Sequence, residues 1–116
     1  MQGQRNANRL RLGVPATLAL SHQQMQCLLD DISTIGARLR VNGSVTKGAT
    51  ARVDFHELHM FGTVVWVRGN ECGIRLHTPL DPEDMQGMLW ITQNREAYEK
   101  LTRNAHAAEW TQGIWE

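Results

Sequence analysis

Six short apolar segments, separated by turn signals and without strand-helix alternation, are the feature that most restricts what this chain can become. The first is VPATLAL, Val14 to Leu20, with Pro15 near its start, where a missing amide is tolerated in a strand. CLLDDIS follows at residues 27 to 33. Gly36 then frees the backbone before ARLRV, Ala37 to Val41, in which Ala, Leu and Val alternate with Arg38 and Arg40. That alternation predicts a half-buried strand with its arginines outward. Asn42-Gly43 is a turn signal and Lys47-Gly48 a second break, so a fourth strand is predicted from Ala49 to Phe55. FGTVVWV, Phe61 to Val67, is aromatic and β-branched, and Arg68-Gly69-Asn70 turns the chain into CGIRLH, Cys72 to His77. Such a series favours an all-β small barrel or sandwich over a doubly wound sheet.

The texture changes after Thr78-Pro79-Leu80. Asp81-Pro82-Glu83-Asp84 puts a proline and carboxylates where a helix begins favourably. Met85, Met88, Leu89 and Thr92 can share one face, with Tyr98 and Leu101 further along a drifting stripe, which predicts a helix packed on the barrel. Near the end, Trp110 and Trp115 either cap the core or contact a partner. At 116 residues and 41% apolar content, the chain suits one domain with its own core.

The formal net charge of zero hides a polarity. Residues 1 to 80 carry nine Arg or Lys against five Asp or Glu, and residues 81 to 116 carry three against seven. This argues against a general nucleic-acid coat, so no DNA or RNA is expected, yet it permits a local anion site. Cys27 and Cys72 lie among apolar neighbours and read as reduced, structural thiols. No run of roughly 18 apolar residues occurs and the start lacks the order of a secretory signal, so a cytoplasmic protein without membrane insertion is expected.

Catalytic patterns are sparse. His56-x-x-His59 follows Asp54, but two histidines at this spacing are weak evidence for a metal site or a hydrolase, and no CxxC, HExxH or phosphate-loop pattern is present. Neither catalytic residues nor metal ligands are assigned. Two other stretches carry more. RNANR, Arg5 to Arg9, with Arg11 close behind, is either a soluble tail or an anion clamp. DISTIG, Asp31 to Gly36, is either a strand end with a polar turn or a recognition loop offering a carboxylate, a hydroxyl and a close backbone approach. Together they hold groups suited to phosphate and to guanine edges.

RNANR followed by DISTIG resembles the paired RxxxR and D/N-x-S-x-x-G motifs of the PilZ domain family. GTVVW, Gly62 to Trp66, and CGIRL, Cys72 to Leu76, resemble later strands of that family. The resemblance implies a six-stranded PilZ-like β-barrel with a C-terminal helix and no enzymatic activity. It implies a receptor for the bacterial second messenger cyclic di-GMP that passes occupancy to a downstream protein of unknown identity. Cyclic di-GMP is then a ligand, and no cofactor is called for. By the same resemblance Arg5 and Arg9 contact phosphate or guanine, Asp31 accepts guanine N–H bonds, Ser33 contacts base or phosphate, and Gly36 keeps the turn compact. Arg11 is an auxiliary candidate. Asp30 is expected to point away from Asp31, toward solvent or structure, and Trp66 is expected in the core. The chain divides on this basis into a ligand-clamp segment at 1–13, a barrel at 14–80 and a helical extension at 81–116. Gln4 stands where the family often has a further arginine, and Leu76 where an aromatic is frequent. The alternatives are a degenerate PilZ-like interaction module without nucleotide binding and a small hydrolase using His56 or His59.

Overall fold

Inward and outward side chains alternate along much of the predicted strands, and in a computed structural model of the protein those strands form a closed barrel. The structure describes residues 9–111, and their side chains as far as residue 103. The strands are β1 (Leu10–Ala19), β2 (Gln24–Ile32), β3 (Gly36–Val41), β4 (Thr50–Phe55), β5 (Leu58–Arg68) and β6 (Glu71–Leu76). They close in the order β1-β2-β3-β6-β5-β4, and every neighbouring pair is antiparallel. Two helices follow, α1 (Pro82–Gln93) and α2 (Arg95–Thr111).

The barrel interior is filled by the inward positions of all six strands. Leu18, Leu29, Leu39 and Val53 are fully enclosed, with Leu12, Val14, Val64 and Cys72 beside them. Burying each such aliphatic chain contributes about 1.5–3 kcal/mol. The barrel's seam lies between β1 and β4, which pair only from Thr17 to Ala19 against Asp54 to Arg52. Helix α1 packs against β1 and sends Met88 and Ile91 into the core. Its start is held by the Asp81 side chain, which accepts the Asp84 amide at 2.9 Å, with Pro82 in the first turn.

Three departures from regular pairing shape the barrel's outer face. Register shifts occur in β1 between Arg11 and Val14, in β2 between Leu29 and Asp31, and in β5 between Val64 and Trp66. Each bulge breaks the two-residue period and turns a side chain or carbonyl where alternation would not put it.

Several element bounds differ from the sequence reading. β1 starts at Leu10 rather than Val14, because Leu10 and Arg11 pair with Ile32 and Asp31 across the bulge. β5 starts at Leu58, so His59 belongs to a strand while His56 sits in the hairpin turn with φ of 56°. The helical stripe is divided: the chain breaks at Asn94, whose amide bonds back to Trp90 and Ile91. Met88 and Ile91 form the buried face, while Leu89 is on the exposed side. The side chain of Trp110 and all of Trp115 lie outside the described residues.

Candidate functional site

The β2–β3 turn is built by the serine of DISTIG. The Ser33 hydroxyl accepts the amides of Ile35 and Gly36 at 3.3 and 3.1 Å, and the Ser33 amide donates to the Gly36 carbonyl at 2.8 Å. Such a side-chain-to-backbone turn is rigid and local. Gly36 is favoured by closeness: a β-carbon there would lie 3.0 Å from the Ile74 carbonyl oxygen of β6, a tight contact.

Asp31 is 7% exposed and belongs to the turn's β2 flank. Arg38 Nε donates to Asp31 Oδ2 at 2.9 Å, and Arg38 also approaches Glu71 at 3.7 Å. The hydrogen bond to Asp31, and then its charge, raise the pKa of the Arg38 guanidinium above its ordinary value. The second carboxylate oxygen, Asp31 Oδ1, is buried and has no hydrogen-bond partner among the described residues. An anionic acceptor in that condition is costly unless a donor reaches it.

Asp30 has the structural role the sequence reading allowed, but not the direction expected of it relative to Asp31. The β2 bulge cancels strict alternation there, and both carboxylates meet outward arginines of β3: Asp31 meets Arg38, and Asp30 is buried against Arg40 at 3.1 Å. Asp30 is therefore a structural ion-pair partner, not a solvated side chain.

Trp66 is a correction. It is half-buried on the barrel's outer surface rather than in the core, because the β5 bulge at Val65 breaks the alternation just before it. The indole lies over β6 at Gly73, where a β-carbon would stand 2.1 Å from Trp66 Nε1, so only glycine fits beneath the ring. The Arg68 guanidinium sits 5.2 Å from the ring centroid.

Asp31, Ser33, Gly36, Arg38, Trp66 and Gly73 line an open groove of about 390 Å³. Arg9 stands at its edge, Asp31 and Ser33 belong to its β2 end, and Arg38, Trp66 and Arg75 complete its polar and aromatic wall. Of the predicted residues, the structure brings Arg9, Asp31, Ser33 and Gly36 to this groove. Arg5 lies outside the described residues. Arg11 is exposed and opposite Asp31 in register but does not line the groove. Arg38, Trp66 and Arg75 were not in the predicted set. Arg38 was legible as an outward arginine; nothing in the sequence placed it against Asp31.

The histidines take separate partners. His56 Nε2 lies 2.8 Å from the Tyr98 hydroxyl, and His59 Nδ1 lies 2.6 Å from Asp54 Oδ1, which Arg52 also contacts. Among the described residues no group of three or more His, Cys, Asp or Glu side chains is placed to hold a metal ion. Burial pushes the Cys27 thiol up to about 12, with Cys72 and Asp30 adding to the effect, and pushes the Cys72 thiol up to about 11. Both cysteines are free and buried.

The structure is thus a closed antiparallel barrel whose outer face carries a groove lined by arginines and a buried carboxylate. The chain matches the family model for the PilZ domain over residues 3–93, and it belongs to that family. PilZ domains are in general receptors or adaptors for cyclic di-GMP and are generally non-enzymatic. Comparison with curated proteins gives no match. No helix among the described residues is long and apolar enough to cross a membrane.

Proposed function

We propose that this PilZ domain is a cyclic di-GMP receptor that couples occupancy of the groove to a downstream protein. The observation that carries the reading is Asp31: one oxygen is fixed by Arg38, while the other is buried at an arginine-edged groove without a partner among the described residues. A guanine presents N–H donors in the plane such a carboxylate accepts, and the hydrogen bond from Arg38 holds that carboxylate in place. Arg5 and Arg9 supply donors to phosphate or to the guanine Hoogsteen edge, with Arg11 strengthening the local field. Trp66 offers a ring face beside them. Ser33 acts chiefly through the turn it holds, and Gly36 through the closeness it permits.

On this reading residues 1–13 are the ligand clamp, 14–80 the barrel that carries the groove, and 81–116 the extension that reports occupancy. The protein acts by binding, needs no cofactor, and works in the cytoplasm.

One observation favours the degenerate module as a second reading. The Ser33 hydroxyl and one Asp31 oxygen are already engaged within the fold, so part of the motif serves structure without a ligand.

Calorimetric titration with cyclic di-GMP, linear pGpG and GTP separates the two. The receptor reading expects saturable, selective binding of the cyclic dinucleotide, strongly weakened in Arg9→Ala and Asp31→Asn with the fold intact by circular dichroism. A flat isotherm at millimolar ligand with folded protein supports the degenerate module. Steady conversion of the nucleotide by purified protein, abolished in His56→Ala and His59→Ala, would revive the hydrolase.

A further inference from the structure

Leu12 and Gly13 form the β1 bulge and have no register partner on β2 or on β4. Gly13 has φ of 62°, the left-handed conformation that disfavours other residues. Their carbonyls are taken up from elsewhere. Arg95, the first residue of α2, donates through Nη1 to the Leu12 carbonyl and through Nη2 to the Gly13 carbonyl at 2.9 Å. Its Nε donates to Glu99 at 2.9 Å, so every nitrogen of the guanidinium fork is used. On the N-terminal side of the bulge, Arg11 is in register with Asp31, and Arg9, just before the strand, lines the groove. The bulge is thus held on one side by α2 and leads directly into the clamp on the other.

We propose that Arg95 is a positioning residue for the nucleotide site, and that its grip on the β1 bulge couples groove occupancy to docking of α2. The inference rests on the reading of the groove as a cyclic di-GMP receptor site. A left-handed glycine sets the course of the backbone at the bulge, and the placing of Arg9 at the groove depends on how that course is held. Two donors from a planar fork fix both carbonyls at once, which a single ammonium does not. Another contact of α2 with the barrel is that between His56 and Tyr98 at 2.8 Å. Helix docking and clamp geometry therefore share Arg95. If docked α2 favours the nucleotide, the nucleotide favours docked α2 by the same factor.

The test uses the full chain as wild type, Arg95→Ala, Arg95→Lys and Asp81→Ala. Cyclic di-GMP affinity is measured by calorimetry, and amide exchange in α2 is followed with and without nucleotide. Arg95→Ala is expected to weaken binding about fivefold or more, with Arg95→Lys recovering part of the loss. Asp81→Ala loosens the start of α1 without touching the bulge and is expected to bind as wild type does, which separates positioning from general destabilisation. Nucleotide is expected to slow exchange at the beginning of α2 in wild type and not in Arg95→Ala. Should Arg95→Ala fail to fold, Arg95→Lys carries the same comparison with smaller effects. Wild-type affinity in the folded Arg95 variants, or α2 exchange indifferent to nucleotide in wild type, overturns the coupling alone. A wild type that binds no cyclic di-GMP overturns the receptor reading and the coupling with it.

Discussion

A β-carbon on Gly73 would stand 2.1 Å from the indole nitrogen of Trp66 and 2.5 Å from Cε2, so the ring's place on the groove wall depends on what that glycine lacks. Gly73→Ala is expected to displace the indole or strain β6, costing about 1–3 kcal/mol as overpacking does. Chemical denaturation of Gly73→Ala, Trp66→Ala and the double variant checks this, since the alanine penalty should largely vanish once the ring is gone. The ion pair beneath the groove supplies a second expectation. Arg38→Ala leaves a nearly buried Asp31 carboxylate without its Nε donor and is expected to cost about 1–3 kcal/mol, moderated because Arg38 is 33% exposed. The cysteines permit a direct chemical check. With both thiols buried and their pKa values raised by that burial, a thiol-specific reagent at pH 8 should label neither Cys27 nor Cys72 until the protein unfolds.

At the level of elements, α1 closes what the sheet leaves open. β4 reaches β1 over three register pairs only, and Met88 and Ile91 complete the core from the helix. Ile91→Ala is expected to cost about 2–5 kcal/mol, the penalty for deleting buried methyl groups where the site relaxes only partly. Asp81→Ala removes the cap on Asp84 and is expected to cost about 1 kcal/mol. Thermal unfolding should rank the two in that order. The order would reverse only if α1 were an appendage rather than part of the barrel.

Across the whole molecule, acid sensitivity should come in part from the outer face of the β4–β5 hairpin. Burial tends to raise the Asp54 pKa, but hydrogen bonds from His59 and Arg52 outweigh it and hold the carboxyl below the usual aspartate range. A group whose folded pKa is depressed contributes stability above its unfolded value, near about 3.9, and loses it as pH falls through the folded value. Wild type should therefore lose thermal stability on acidification below about pH 4. Asp54→Asn should be less stable at neutral pH and show a shallower decline, measured as melting midpoint against pH. The outer surface also leaves Phe61, Val65 and Val67 of β5 exposed. They are apolar residues on the same strand as Trp66.

The all-β class, the six strands and the family motifs were legible in the residues alone, because each rests on short-range chemistry. Alternation assigned Leu39 inward and Arg38 outward, Asn42-Gly43 marked a turn, and Asp81-Pro82 marked a helix start, all within a few residues of where the structure has them. The same alternation failed at Asp30 and Trp66, and for one reason. Each lies at a bulge, where one strand carries an extra residue against its neighbour and the two-residue period no longer assigns a face. A bulge belongs to a pair of strands, so its effect depends on partners distant along the chain: Arg38 for Asp31, Gly73 for Trp66, and Arg95 for the Leu12 and Gly13 carbonyls. Tertiary structure decided those pairings, because closing six strands into one barrel sets registers that no local stretch of residues contains.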